Sequence, residues 1–310
     1  MAEVTPRPLR LGAPLNKANM EISGLAWYGD TLVVLPQYPS RRTEANGRQL
    51  YGISRSALAQ AVADTTVSID PFPIPLHANG MSDHATAYEG CEAIAFEDGR
   101  AYFLVEGNGG ASAMEGHLLR GTVAPGLQSI RLHTATVKAL PMQAPLRNMS
   151  YEALTLHGDT VLTLFEANGA RVNTSPQAHR FTSALDPAGP ISFPALEYRL
   201  TDATALDAHG RFWVTNYFYP GERDLLDPGP DSLALRFGTG ATHQTSDVVE
   251  RLVEYRYTPQ GIRRTTTPPV WFRLRGGSGR NWEGVARFGD GFLVATDKFP
   301  STILAYVPRR

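Results

Sequence analysis

Short apolar runs, each broken by a turn of small polar residues, recur along the 310-residue chain. Five of them share one pattern, a strand-like segment with a polar second residue. They read Ile22-Ser23-Gly24-Leu25-Ala26-Trp27, Cys91-Glu92-Ala93-Ile94-Ala95-Phe96, Tyr151-Glu152-Ala153-Leu154-Thr155-Leu156, Thr201-Asp202-Ala203-Thr204-Ala205-Leu206 and Trp282-Glu283-Gly284-Val285-Ala286-Arg287. Each is followed by Gly with Asp or His at 29–30, 98–99, 158–159, 209–210 and 289–290. Such pairs accept the positive φ angles of tight hairpins. A second apolar run then begins at once, over 32–35, 102–105, 161–165, 212–215 and 292–296.

A hairpin repeated at this scale, with room for two more strands before the next, is the plan of a β-propeller blade. Third and fourth strands are predicted at 117–122 and 134–137 in the second unit, and at 252–257 and 270–274 in the fourth. The last unit has one further strand, 302–307, and residues 7–12 can supply its fourth and close the ring without an open edge. The reading is an all-β, five-bladed β-propeller closed by the N-terminal strand. It forms a single domain over 1–310, with blades beginning near 22, 91, 151, 201 and 282. The alternative is a six-bladed ring with an extra blade inside 203–281, where the Pro- and Gly-rich stretch 220–230 reads instead as a loop.

The second-position column is Ser23, Glu92, Glu152, Asp202 and Glu283, each at the head of a strand expected to line the central channel. Fourteen residues onward stand Gln37, Glu106, Glu166, Asn216 and Asp297, where the second strand brings the chain back to the same end. All ten carry oxygen, and seven are carboxylates. Carboxylates gathered at one mouth destabilise one another unless protonated, paired or neutralised by a cation. The first expectation is a metal site of Ser23, Glu92, Glu152, Asp202 and Glu283. Oxygen donors of varied length suit Ca²⁺ better than the strict octahedron of Mg²⁺. The alternative is that arginines and backbone amides satisfy these groups.

Charge and composition narrow the partners. With 29 Lys and Arg against 30 Asp and Glu, the net charge is −1, which predicts no general affinity for nucleic acid. No apolar run approaches the roughly 18 residues of a membrane span, so no membrane partner is expected. One cysteine, Cys91, excludes an intrachain disulfide and a multi-cysteine zinc site, so stability rests on a core that 42% hydrophobic content can supply.

Arg41, Arg42, Arg147, Arg171, Arg199, Arg223, Arg280 and Lys298 fall in segments entering or leaving the mouth. Together they predict a positive rim that clamps a small anion. Arg41, Arg171, Arg280, Lys298, Asn216 and Gln37 are the candidate substrate contacts. Glu106, Glu166 or Asp297 is the candidate base for an attacking water. His84 and His243 could reach the same end, although a single loop histidine is more often plain surface. No Gly-x-Ser-x-Gly nucleophile motif occurs, and Cys91 in an innermost strand reads as packing.

At these residues the chain resembles the phytase-like family, the domain described as having esterase-like activity of phytase. The matching pieces are Ile22-Ser23-Gly24-Leu25-Ala26, Glu92-Ala93-Ile94-Ala95, Tyr151-Glu152-Ala153-Leu154 and Leu200-Thr201-Asp202, followed by Phe272-Arg273-Leu274, Asn281-Trp282-Glu283-Gly284-Val285-Ala286 and Ala295-Thr296-Asp297-Lys298-Phe299. Met20-Glu21-Ile22-Ser23 is similar to the first blade of calcium-activated apyrases, five-bladed propellers with a central Ca²⁺. The resemblance implies Ca²⁺ at Ser23, Glu92, Glu152, Asp202 and Glu283, and hydrolysis of a phosphoric ester or anhydride. Pro36-Gln37 stands where the apyrases have an aspartate pair.

The combined expectation is a monomeric, calcium-dependent hydrolase of a small anionic ester, phosphoric or carboxylic, acting at the channel mouth. The alternative is a non-catalytic ligand-binding or scaffold propeller with a structural Ca²⁺. A six-bladed metal-dependent lactonase would need more Asn and Asp at the site and an extra blade. The first residues show no basic-then-apolar leader. A single thiol fits the cytosol or a processed exported protein, and calcium use favours export.

Overall fold

The computed structural model describes residues 1–18, 20–39, 48–78, 88–108, 114–276 and 279–309. The five repeated segments fold as five antiparallel hairpins: Ile22–Tyr28 with Thr31–Pro36, Tyr88–Glu97 with Arg100–Asn108, Tyr151–His157 with Thr160–Phe165, Arg199–Ala203 with Arg211–Phe218, and Trp282–Phe288 with Gly291–Thr296. Their first strands stand side by side in chain order, and the last, Trp282–Phe288, returns to pack beside Ile22–Tyr28. The result is a nearly all-β, propeller-like ring about a central channel.

Each sheet is covered on both faces by its neighbours, which is why second strands such as Thr31–Pro36 read as continuous apolar runs rather than alternating ones. Among the described residues, five apolar clusters fill the gaps, one between each neighbouring pair of units. Leu25 and Leu293 share the cluster between the last and first units, Tyr102 and Phe165 that between the second and third, and Trp213 packs edge-on against Phe292 between the fourth and fifth. Turn chemistry acts as the sequence reading requires: Asp98 and Gly99 both take positive φ, 48° and 75°.

Outer strands complete the sheets. Arg7–Pro8 pairs with Tyr306 and Ala305 of the strand Leu304–Pro308, so the N-terminal segment does supply the outer edge of the last sheet. Glu3–Val4 adds in parallel to Trp271 and Phe272 of the preceding sheet, so the N-terminus ties two sheets together. Phe72–His77 and Ile130–Leu132 pair in parallel and join the first two units into one sheet.

The second unit's outer strand is Ile130–Leu132, not 134–137: Thr134–Thr136 forms a 3₁₀ turn instead. The interval after Phe218 holds short helical turns at Pro220–Glu222 and Arg223–Leu226 before the strand Val249–Thr258, which pairs with Arg211–Phe218 in the same sheet. No helix among the described residues is long and apolar enough to cross a membrane.

Candidate active site at the channel mouth

Every inner hairpin contains a one-residue bulge at its head. Ile22 pairs with Pro36 and Gly24 with Leu35, which leaves Ser23 unpaired. The same slip leaves Glu92, Glu152 and Glu283 unpaired in their units. A bulge bends the strand and re-aims the extra side chain, here toward the mouth of the ring. In the fourth unit Leu200 pairs with Asn216 and Asp202 with Thr215, so the bulged residue is Thr201 and not Asp202. The residue after the pair that flanks the bulge on the mouth side is then Tyr217 rather than Asn216, matching Gln37, Glu106, Glu166 and Asp297 in the other units. A slip of one residue turns a strand side chain to the opposite face, so two members of the expected columns are displaced.

The displaced residues have structural partners. Asp202 accepts hydrogen bonds from the amides of Ala203 at 2.8 Å and Val285 at 2.7 Å, and does not line the mouth. Asn216 donates to the carbonyls of Glu197 and Arg199 and accepts from Arg251. The two bulged hydroxyls act as staples: Ser23 Oγ donates to the Cys91 carbonyl at 2.6 Å, and Thr201 Oγ1 to that of Trp282 at 2.5 Å. Each tack joins one unit to the residue preceding the next unit's glutamate, and neither Ser23 nor Asp202 lines the mouth.

The three bulged glutamates do meet. Glu92, Glu152 and Glu283 line a cavity of about 770 Å³ together with Glu106 and Asp297 of the second column, and with Gln37 and Lys298. Glu222, Asn281, Tyr38, Tyr217, Tyr219 and Phe299 also line it. Gln37 Nε2 donates to Glu92 at 3.3 Å, and Asn281 Nδ2 bridges Glu283 and Asp297, the latter at 3.1 Å. Asp297 also accepts from the Phe299 amide at 2.7 Å, and Lys298 Nζ pairs with Glu21 at 3.3 Å.

Arg199 lies in the middle of this acid cluster. Its Nε donates to Glu166, its Nη2 lies 3.1 Å from Glu152 and 3.9 Å from Glu283, and its Nη1 lies 3.5 Å from Glu222. Glu166 is completely buried behind Arg199 and does not line the cavity, so it is not placed to activate a water there. The sequence reading put Arg199 on an exposed rim. It starts the strand Arg199–Ala203 instead, and the planar guanidinium bridges several carboxylates at once.

One guanidinium does not balance the site. Burial first, and then Glu152, pushes the Glu92 carboxyl up to about 8. Burial drives Glu106 well above the usual carboxylate range, with Glu92, Glu152 and Glu166 adding to it. Glu283 is raised well above that range by burial and then by Asp297, and Asp297 is raised by burial against the pull of the Phe299 amide and Asn281. Burial also lifts Glu152 and Glu166, although Arg199 opposes it at both. Arg199 loses hydration, yet its carboxylate partners hold its charge firmly.

Several oxygens are left over. Glu106 Oε1, Glu152 Oε2, Glu222 Oε2 and Asn281 Oδ1 are buried with no hydrogen-bond partner among the described residues. An orphaned buried carboxylate oxygen is costly, and all-oxygen donors of this kind suit a hard cation. As placed, no three His, Cys, Asp or Glu side chains among the described residues are gathered closely enough to hold a metal. Seating one would take side-chain rotation of the glutamates.

Of the positive rim expected from the sequence, Lys298 lines the cavity, Arg199 lies within it, and Arg147 is exposed outside the lining. Arg280 is a two-pronged partner of buried Glu250 and lies over Trp282, Arg171 pairs with Asp227 at 3.1 Å, and Arg223 pairs with Asp247 at 3.2 Å. None of the three lines the cavity. His243 is buried against Glu3 and Trp271, away from the mouth. Arg41, Arg42 and His84 lie outside the described residues. The sequence reading missed Glu222, Tyr217, Tyr219 and the mouth-lining role of Asn281. Only Asn281, two residues before Glu283 in a quoted motif, carried a readable signal.

No family profile matches the chain, and no curated protein sequence matches it. Solved structures do share its architecture. A structure from work on the GH130 family of mannoside phosphorylases, said to contain glycoside hydrolases that target β-1,2 mannosidic linkages in Candida mannan, is 8% identical. It covers 99% of this chain and 94% of its own, with a TM-score of 0.51. A glycosyl hydrolase from Bacteroides ovatus is 11% identical and covers 98% of this chain and 94% of its own, with a TM-score of 0.49. The soluble aldose sugar dehydrogenase from Escherichia coli, also 11% identical, covers 99% and 100%, with a TM-score of 0.47. At 8% identity the first of these shows a likeness of fold alone.

Proposed function

We propose that the chain is a hydrolase that acts on a small anionic ester at the acid-lined mouth, with a divalent cation, Ca²⁺ on donor chemistry, held by Glu92, Glu152 and Glu283. The observation that carries this reading is the imbalance of the lining. Among the described residues, six carboxylates, Glu92, Glu106, Glu152, Glu222, Glu283 and Asp297, face two cationic groups, Arg199 and Lys298. Within this described lining, protons or a bound cation would make up the difference.

An ester that is itself anionic has no reason to enter unless that negative charge is reduced. Bound beside Arg199, a cation would offset the charge of a phosphoric or carboxylic ester and polarise it toward attack. Glu106, with an unpartnered oxygen, is the group placed to take a proton from water, and Asp297 is the second candidate. Arg199 fixes Glu152, and Lys298, paired with Glu21 at the mouth, is the lining's second positive charge for the substrate. The ring of five inner strands, with Arg7–Pro8 on the outer edge of the last sheet, supports a five-bladed count within one domain. The phytase-like motifs point to the same chemistry.

The test is a panel of phosphoric and carboxylic monoesters assayed with Ca²⁺ and with a chelator. The expected result is turnover of the anionic esters that chelation abolishes and that Glu106→Gln removes, while the Ca²⁺-dependent rise in thermal stability is kept. Unchanged turnover under chelation would contradict the reading. A scaffold with a structural cation is the second reading, favoured by the commitment of Glu152 and Glu166 to Arg199. In that case Ca²⁺ would raise stability while the whole panel stayed inert.

A further inference from the structure

Among the described residues, six large hydrophobic side chains are exposed: Met1, Phe72, Met142, Tyr219, Leu235 and Phe299. Of these, only Tyr219 and Phe299 line the cavity, and they are 54% and 57% exposed. Folding gives no reason to leave two aromatic rings in water at a mouth that also carries six carboxylates. Pockets that recognise an organic ligand combine such rings with a few placed polar groups.

Local structure places both residues at the mouth. Tyr219 follows the strand Arg211–Phe218, and its ring lies across Gly221: a Cβ built there would come within 2.4 Å of the ring edge. The absence of a side chain at Gly221 is what lets the tyrosine lie where it does. Phe299 follows the strand Gly291–Thr296, and its amide donates to Asp297 Oδ1 at 2.7 Å, so the residue that presents the ring is fixed to an acid of the site. The two rings come from units adjacent around the channel and belong to one lining with Asp297 and Lys298.

We propose that Tyr219 and Phe299 are stacking platforms that select a ring-bearing substrate, an ester whose organic part presents the flat apolar face of an aryl or sugar ring beside its anionic group. The inference rests on the hydrolase reading for the reacting end of the substrate. The rings themselves need no cation to stack. They set affinity and orientation, so they act on KM more than on kcat.

The experiment compares binding of phenylphosphonate, methylphosphonate and the neutral benzyl alcohol by ligand-observed NMR with Ca²⁺ present. Wild-type protein is set beside Tyr219→Leu, Phe299→Leu and the ring-conserving Tyr219→Phe. Both positions are exposed, and equal thermal unfolding confirms that the variants fold. The expected result is phenylphosphonate bound about tenfold more tightly than methylphosphonate, with the advantage lost in either leucine variant and kept in Tyr219→Phe. Equal binding of the two phosphonates, or an advantage that survives both leucine variants, would overturn the proposal. Should neither phosphonate bind while benzyl alcohol binds and is lost in Tyr219→Leu, the anionic-ester reading fails and the ring platform stands. Failure of all three probes would overturn it.

Discussion

Replacing Arg199 with methionine keeps a long apolar stem and removes the guanidinium that four carboxylates share. Glu152 and Glu166 lose their near partner at side-chain exposures of 10% and 0%, where water cannot take its place. Removing one member of a buried ion pair costs about 3–5 kcal/mol, and Arg199→Met should lose that much unfolding free energy in urea at about pH 8. The loss has a defined pH sense. Without the guanidinium, Glu152 and Glu166 rise still further above their unfolded value. The folded variant then keeps protons that the unfolded chain has released, and stability falls as pH rises above that value. Below about pH 4.5 both states hold those protons, so variant and wild type should converge. Adding Glu166→Gln should restore part of the loss, because the amide leaves no unpaired charge to bury. A cost under about 1 kcal/mol, the scale of an exposed pair, or an equal cost at both pH values, would refute the reasoning.

Other outcomes follow from the same geometry. In chelator, wild-type stability should fall as pH rises from about 4.5 toward the raised value of about 8 at Glu92, by up to about 1.4 kcal/mol per pH unit for each carboxyl still protonated in the fold. A flat urea-unfolding profile over that window would contradict it. Ca²⁺ at about 100 times its dissociation constant should stabilise the wild type by about 2.7 kcal/mol, and thermal scans should show Glu283→Gln losing most of that gain. Asp202→Asn should cost about 1–3 kcal/mol, because one of the two amides that Asp202 now accepts from would face an NH2 group instead of an oxygen, yet leave the Ca²⁺ response intact, since Asp202 lies off the mouth. A lost Ca²⁺ response there would return Asp202 to the ligand set.

The hairpin repeat was legible because both strands of each hairpin are buried and the turns between them need Gly and Asp; it put Glu92, Glu106, Glu152, Glu283 and Asp297 at one end, and the structure brings these five to one cavity. What failed was register in the fourth unit. Thr201-Asp202-Ala203 aligns well by residue type with Tyr151-Glu152-Ala153, but the bulge falls one residue earlier, and the hairpin partner of Leu200 is Asn216. Only strand pairing shows that. The arginines failed for a different reason: a guanidinium is long enough to end in solvent, on a neighbouring acid or in the hub, and sequence position does not choose among these. Arg280 went to Glu250, Arg171 to Asp227 and Arg199 to the center of the site. The mouth aromatics Tyr219 and Phe299 left no periodic signal, because each lies in a loop beyond the end of its strand.

The central claim is that the acids at the mouth are short of positive charge even with Arg199 among them. A high-resolution crystal structure grown with Ca²⁺ measures this directly. The account predicts a peak beside Arg199 with six or more oxygen neighbours, Glu92, Glu152 and Glu283 among them, at about 2.3–2.6 Å. A mouth in which those carboxylates touch only Arg199, Asn281, Gln37 and water at saturating Ca²⁺ would contradict it.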